Sequence, residues 1–375
     1  MKPRIICIIG TRPEAIKMAP VVLALRRAGF DAPILATAQH RDLLDQMLAV
    51  FRLKPEWDLD AMTPRQGLSE LLARILPRLD QLIRSSGAAA VLGQGDTTTV
   101  LGAAIAAFHA GVPFGHVEAG LRSGSLAAPF PEEGNRRLAS VLTEWHFAPT
   151  ETAGAALRAE GVAHDKVHVV GNSVIDALLG MADRPDLPWP ASVPALSPTQ
   201  RLVLVTLHRR ENFGAPIQAI LGALREFASR HEDAVFVYPV HPNPNVFGPA
   251  RDALGGLPNV HLIEPVEYPT MVNLLRRSYL VLTDSGGLQE EGPALGKPVL
   301  VFREVTERPE AVAAGGVRLV GADPAKFLAE AEALWTSSAA YGVMAKPRFP
   351  YGEGRTAERI VDILGRRFHG PTADE

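Results

Sequence analysis

From its first residues the chain alternates short apolar runs, many of them β-branched, with amphipathic stretches of helical period. RIICII at 4–9 precedes a helical pattern that lasts to about Gly29, and APILATA at 32–38 precedes one carrying Leu43, Leu44, Met47 and Leu48. The alternation continues with an amphipathic segment at 67–83, an apolar run at 88–92, a helix at 98–108 and a run at 113–117. WHFAP, a helix from Thr150, KVHVV and a helical piece at 173–181 follow. Strands separated by helices pair in parallel through crossovers, so this pattern predicts an α/β fold with a doubly wound parallel sheet.

The pattern stops between Arg184 and Thr199. Pro185, Pro188, Pro190, Pro194 and Pro198 suit neither a helix nor a central strand. It then restarts with RLVLVTL, AVFVYPV, NVHLIEP, YLVLTD, PVLVF and VRLVG, separated by helical segments. The expected organisation is a Rossmann-like domain over 1–182, a linker at 183–199 and a second Rossmann-like domain over 200–352. A helical tail at 326–335 and 356–368 is interrupted by the turn-rich FPYGEG. Two such domains enclose a cleft, and functional residues are expected at strand C-termini facing it.

Composition narrows the classes of partner. The 375 residues are 47% hydrophobic, enough for two cores, and 38 basic against 41 acidic residues leave a net charge of −3. No whole-molecule field draws the chain to nucleic acid or to an anionic membrane, so any anion must be bound locally. The single cysteine, Cys7, lies in the first apolar run and is expected to be a buried thiol in a reducing compartment. With no secretory leader or membrane-spanning run expected, the reading is a cytoplasmic protein.

Several strand ends carry polar residues in suggestive order. The first runs into Gly10-Thr11-Arg12-Pro13-Glu14, where a helix N-terminus and Arg12 offer an anion site that Lys17 can reach. The ordinary alternative is a plain turn with solvated cations. Gly93-Gln94-Gly95-Asp96-Thr97-Thr98-Thr99 puts Asp96 just ahead of a helix, where aspartate is a common cap. It resembles the start of a dinucleotide fingerprint, but Thr98 stands at the third glycine, which weakens an NAD reading. Glu118, after GHV, and Glu132, at a helix start, join Asp96 as acids expected to converge on one sheet edge. Arg136 can hold a carboxylate or phosphate bidentately, and Arg137 reads as a surface residue.

The second half repeats the arrangement with different chemistry. His208 follows RLVLVTL within His208-Arg209-Arg210-Glu211-Asn212, and His241 follows AVFVYPV. A lone histidine is usually structural; one at a strand end can donate to phosphate or act as an acid. Ser285-Gly286-Gly287 opens a helix whose N–H groups suit phosphate, with Glu291 a turn later for ribose hydroxyls. No histidine pair has zinc-type spacing, so no metal is expected.

Assembled in order, these motifs resemble the non-hydrolysing UDP-N-acetylglucosamine 2-epimerases of bacteria. GTRPEAIKMAP, TAQHRDLLDQML, GDTTT, HVEAGLRSG, PEEGNRR, APTET, GNSVIDALL, HRREN, YPVHPNPNV, TDSGGLQEE, GKPVLV, TERPEAV and PYGEGRTAERI span nearly the whole chain. The resemblance implies a GT-B fold, a C-terminal helix (353–369) packed back on the first domain, a homodimer, and a product used in polysaccharide biosynthesis. By motif it implies Asp96, Glu118 and Glu132 as catalytic acids. Arg12, Lys17, Arg136 and His208 then surround the diphosphate, and Ser285, Gly286, Gly287 and Glu291 hold phosphate and ribose. Many members bind a second UDP-GlcNAc as an activator, at positions matching Gln39, His40, Arg65, Gln66, Arg210 and His241. Asp42 stands where some regulated members carry glutamine.

The implied substrates are UDP-GlcNAc and UDP-ManNAc, with no cofactor. Inverting C2 of a 2-acetamido sugar breaks a C–H bond that no neighbouring carbonyl activates. Eliminating UDP across C1–C2 and adding it back to the glycal avoids that difficulty. The expectation is that clustered carboxylates raise one another's pKa and keep one protonated, while arginines and a helix start stabilise departing UDP. A GT-B glycosyltransferase, a hydrolysing epimerase and a non-catalytic UDP-sugar sensor are the rivals.

Overall fold

The computed structural model of the chain describes residues 2–37, 41–61, 63 and 66–369, the side chains of 41–43 excepted. The chain divides into two compact units, Met1–Ala177 with Tyr351–Glu375, and Leu178–Pro350. The strands of the first are β1 (Ile5–Ile9), β2 (Ile34–Ala36), β3 (Trp57–Asp58), β4 (Ala90–Gln94), β5 (Phe114–Val117), β6 (Trp145–Ala148) and β7 (Val167–Val169). Its helices are α1 (Arg12–Arg27), α2 (Arg41–Val50), α3 (Leu68–Ser86), α4 (Thr98–Ala110), α5 (Glu132–Val141) and α6 (Glu151–Ala159). The division between units falls within α7 (Ser173–Ala182).

All seven strands are parallel, in the order β3-β2-β1-β4-β5-β6-β7. Helices cover both faces, which is why β1 is buried along its whole length and reads as an unbroken apolar run. Cys7 belongs to this core, and burial pushes its thiol up to about 12. Succession reverses between β1 and β4, so crossovers leave those two strands in opposite directions. The carboxyl ends there form the opening where ligands bind in sheets of this kind.

The second unit repeats the plan with β8 (Arg201–Thr206), β9 (Ala234–Pro239), β10 (Val260–Ile263), β11 (Ser278–Thr283), β12 (Val299–Val301) and β13 (Val317–Leu319). The order is β10-β9-β8-β11-β12-β13, again parallel throughout, with the reversal between β8 and β11. Its helices are α8 (Ala215–Arg230), α9 (Pro244–Leu254), α10 (Tyr268–Arg277), α11 (Gly286–Ala294), α12 (Pro309–Ala313), α13 (Pro324–Thr336) and α14 (Ser338–Met344). Phe227, Phe236, Phe302 and Phe327 fill one side of its core. Both doubly wound sheets expected from the alternation are present.

The proline-rich stretch is tied down by side chains of α10. Asn273 Nδ2 donates to the carbonyls of Leu187 (3.1 Å) and Pro188 (3.0 Å), and Arg276 donates to that of Arg184 (3.1 Å). The Arg277 guanidinium lies 4.6 Å from the Trp189 ring centre. Prolines leave backbone carbonyls without a regular ladder, and these residues supply the missing donors.

The last helix, α15 (Thr356–His369), packs within the first unit. Asp176 accepts from the Ala357 N–H at 2.8 Å, and the Asn172 N–H donates to Tyr351 O at 2.6 Å. Gly171 and Gly352, both at positive φ, let the two backbones touch: a Cβ on Gly171 would stand 3.1 Å from the Gly352 Cα. Among the described residues no helix is long and apolar enough to cross a membrane.

Candidate active site

In the first unit, the ends of β1, β4 and β5 carry the polar residues. Thr97, not Asp96, caps α4, its hydroxyl accepting from the Val100 N–H at 3.4 Å. The ordinary explanation of Asp96 as a helix cap therefore fails, and its carboxylate turns to Arg136. The guanidinium holds one carboxylate oxygen through Nε (3.0 Å) and Nη2 (2.9 Å), and Asn135 Nδ2 donates to the Asp96 carbonyl at 2.8 Å. His116 braces the same turn from β5, its Nε2–H donating to Gly95 O at 2.7 Å. Burial lowers the pKa of that histidine, outweighing the pull of Asp96 and Glu118.

Glu118 follows β5 with φ at +64°, a left-handed conformation that costs a non-glycine residue about 1–3 kcal/mol and is usually found at functional sites. Its carboxylate is buried and accepts from Lys17 Nζ at 2.6 and 2.8 Å. Gln94 Nε2 also donates to it, as does Asn172 Nδ2 at 3.3 Å. Asn172 is the residue that Tyr351 holds, so the GNSV and PYGEG motifs both serve to position Glu118.

Glu132 opens α5, and its Oε2 is buried with no hydrogen-bond partner among the described residues. Buried polar atoms of that kind are few in folded proteins and call for a ligand or a proton. Glu133, fully buried, is structural: it accepts from the Ser123 N–H (3.0 Å), Arg136 (2.9 Å) and Arg137 (3.0 Å). Arg12, at the first position of α1, is exposed, with no ion pair among the described residues. Lys17 and Arg136, expected beside a phosphate, are committed here to carboxylates.

Asp96 and Glu118 are each matched by a cation, and burial pushes the carboxyl of Glu14 up to about 7.

In the second unit, one buried carboxylate organises the reversal point. Asp284, at the end of β11, accepts from the N–H groups of His208 (3.0 Å) and Arg209 (2.9 Å) and from Asn212 Nδ2 (3.0 Å). It also lies 3.3 Å from His208 Nδ1. Burial lowers the His208 pKa, outweighing the upward pull of Asp284, and Arg209 and His241 lower it further. The His208 and His241 rings stand 6.2 Å apart in near-parallel planes.

Ser285 precedes α11 without capping it through its side chain, which leaves the Gly286 and Gly287 helix start open to an anion. Arg209 reaches that start, its Nη2 3.5 Å from where a Gly286 Cβ would lie, and its Nε is buried without a partner among the described residues. Glu291 folds back along the helix: its Oε2 is 3.8 Å from a Cβ placed on Gly287. Burial and the Glu291 charge push the neighbouring Tyr268 phenol well up. Thr306 and Arg308 bind Gln289 and Glu290 of α11.

Of the positions expected for an activator, Gln39, His40 and Arg65 lie outside the described residues. Gln66 accepts from the Thr63 hydroxyl at 2.8 Å, and Arg210 and His241 are exposed. Among the described residues no group of three or more His, Cys, Asp or Glu side chains could hold a metal ion.

The model of the family described as UDP-N-acetylglucosamine 2-epimerase matches residues 23–365. The UDP-N-acetylglucosamine 2-epimerase of Escherichia coli K12 is 47% identical over 370 residues, covering 96% of this chain and 98% of that protein. The chain belongs to the UDP-N-acetylglucosamine 2-epimerase family. Among solved structures, the UDP-GlcNAc 2-epimerase of Neisseria meningitidis bound to UDP-GlcNAc is 44% identical, with a TM-score of 0.88 over 96% of this chain and 99% of that one. A putative family member from Listeria monocytogenes is 42% identical, with a TM-score of 0.92 over 100% and 99%. The fold is the GT-B type of two Rossmann-like domains.

The sequence reading did not single out Glu14, Gln94, His116, Asn172, Arg209 and Asp284, which the structure places around the candidate residues. A signal was available for some of them. His116 interrupts an apolar strand, and Asp284 ends one, where a buried polar residue must have a specific partner. For Gln94 and Asn172 no local signal exists, because each acts on a side chain far along the chain.

Proposed function

We propose that the chain interconverts UDP-GlcNAc and UDP-ManNAc by eliminating UDP to a 2-acetamidoglucal and adding it back. A base takes the C2 proton, the C1–O bond breaks with its electron pair leaving on UDP, and the C1=C2 double bond forms. Return of UDP to C1, with a proton delivered to the other face of C2, gives the epimer. The relatives' UDP-GlcNAc 2-epimerase activity is thereby carried to this chain.

What supports the reading most is the occurrence in one unit of Asp96 and Glu118 just past strand ends and of Glu132 at the start of α5. In the proposed division of work these three handle protons. Glu132, with an uncommitted buried oxygen, suits the group that gains and loses one, and Glu118, oriented by three donors, suits a fixed base. Arg12, His208 and the Ser285-Gly286-Gly287 helix start stabilise the β-phosphate of departing UDP in this reading, with Arg209 beside that helix start. Glu291 takes ribose hydroxyls. Lys17 and Arg136 act in this reading through the carboxylates they hold, and either can turn to the diphosphate when substrate arrives.

The test is to incubate the pure protein with UDP-GlcNAc in D₂O, without NAD or acceptor, and follow C1 and C2 by NMR. UDP-ManNAc carrying deuterium at C2 is expected. Free ManNAc with UDP points to hydrolysis, and no reaction to a transferase or sensor; either overturns the proposal. Glu118→Gln should keep UDP binding and lose C2 exchange.

The reading extends to a homodimer in the cytoplasm. Phe108 on α4 and Leu138 and Val141 on the adjoining α5 are 63, 58 and 83% exposed, an apolar face suited to a second copy. Sedimentation of Val141→Asp against the parent chain tests it. Gln66, Arg210 and His241, with the other positions of that set, are read as serving an activating UDP-GlcNAc. UDP-ManNAc alone should then turn over slowly until UDP-GlcNAc is added.

A further inference from the structure

Glu14 is 2% exposed, in a helix turn that begins at the surface beside the exposed Arg12 and Pro13. As the third helical residue after Thr11, it completes a capping box by accepting from the Thr11 N–H at 3.1 Å. Capping alone leaves its other contacts unexplained. Oε2 also accepts from the Gly10 N–H, and Oε1 accepts from the Thr97 hydroxyl at 2.7 Å. Thr97 is the neighbour of Asp96, 83 positions from Glu14 along the chain.

Other groups close the same network. A Cβ on Gly10 would fall 2.7 Å from the Thr99 hydroxyl oxygen and 2.8 Å from that of Thr37, and those two oxygens are hydrogen-bonded at 3.1 Å. Glycine is therefore required where the β1–α1 turn is pressed against the start of α4 and the end of β2. Glu14 bonds both turns of the reversal point. Burying a carboxyl is costly, and the rise of this one to about 7 records that cost. A local cap could remain in solvent.

We propose that Glu14 is a positioning residue for the reaction: its carboxylate clamps the β1–α1 turn to the β4–α4 turn and so sets Arg12 and Asp96 in fixed relation. The inference rests on the epimerase reading above. Glu14 does not itself meet the reacting atoms in this scheme. It acts through the turns that carry residues which do, and misplacement of reacting groups by about 1 Å can cost on the order of a hundredfold in rate.

The experiment measures kcat and KM for UDP-GlcNAc in the parent chain, Glu14→Ala, Glu14→Gln, Thr97→Val and Thr97→Ser, each normalised to UDP-binding sites counted by calorimetry. Glu14→Ala and Thr97→Val are expected to lose about tenfold or more in kcat per binding site, with KM changed by less than about threefold. Glu14→Gln, whose amide can bridge the same groups with one bond reversed, and Thr97→Ser should recover most of that loss. Parent-like kcat per site in Glu14→Ala overturns the clamp, as does a loss in which kcat and KM worsen together without rescue by the conservative variants. Should Glu14→Ala not fold, Thr97→Val against Thr97→Ser decides alone. An inactive parent chain overturns the epimerase reading and the inference with it; an active parent with an unaffected Thr97→Val overturns only the inference.

Discussion

Replacing Lys17 by methionine isolates the cost of holding Glu118 where it is. The ammonium lies 2.6 and 2.8 Å from the two carboxylate oxygens, and the side chains are only 20 and 5% exposed, so water cannot replace the cation. Removing one partner of a buried pair typically costs about 3–5 kcal/mol. Gln94 and Asn172 still donate to Glu118, which brings the expected loss in Lys17→Met to about 2–3 kcal/mol. For a unit of this size each kcal/mol lowers the melting temperature by roughly 2–4 °C, so a fall of about 5–10 °C is expected by calorimetry at neutral pH. Combining Lys17→Met with Glu118→Gln removes the stranded charge, and the double variant should regain most of the lost stability, a coupling of about 1–3 kcal/mol. It should remain inactive, because the proposed base is gone. A Lys17→Met variant that melts with the parent, or a double variant destabilised by the sum of the singles, refutes the reasoning.

Three further outcomes follow from particular residues. His146 is buried, and burial, with His116, Arg122, Lys166 and His168 around it, lowers its pKa from 6.5 to about 3. Between those values the unfolded chain binds the extra proton, so stability falls as pH drops below 6.5, by about 2 kcal/mol at pH 5; urea unfolding at pH 7 and 5 should show a smaller loss in His146→Phe. Gly120 has φ of +88°, and a Cβ there would lie 2.4 Å from Ala153 O, so Gly120→Ala should lose about 3 kcal/mol or more in the same assay. Arg201 lies 4.8 Å from the Tyr279 ring centre and 5.1 Å from that of Trp335, and donates to Trp335 O at 2.8 Å. Arg201→Ala should cost about 1–2 kcal/mol in denaturant unfolding and shift the tryptophan near-UV signal.

Much of the fold was legible because a parallel sheet covered on both faces needs unbroken apolar strands, and runs such as RIICII and YLVLTD supply them. The strand ends were legible too, since polar residues that close such runs must leave the core. The two-residue strand β3, whose Trp57 and Asp58 carry no apolar run, was not. Nor was the identity of the α4 cap, because Asp96 and Thr97 are both good caps and only the turn geometry selects between them. Arg136 was open to phosphate or carboxylate from its chemistry; its geometry here satisfies it with Asp96 and Glu133.

The order of residues by itself determined that this chain forms two doubly wound α/β units, and it marked which strand ends bear acids and which lead into a glycine-rich helix start. Periodicity, glycine and proline placement, and the burial demands of each strand are local properties that a one-dimensional pattern can carry. Only the tertiary structure decided that Lys17 pairs with Glu118 across 101 positions, that Asn172, held by the Tyr351 carbonyl, reaches the same carboxylate, and that Glu14 bridges two turns. Those pairings depend on strand order and on the return of the C-terminal segment to the first unit. Both arise from closing the core, where a buried polar group takes whichever partner the packing brings within about 3 Å.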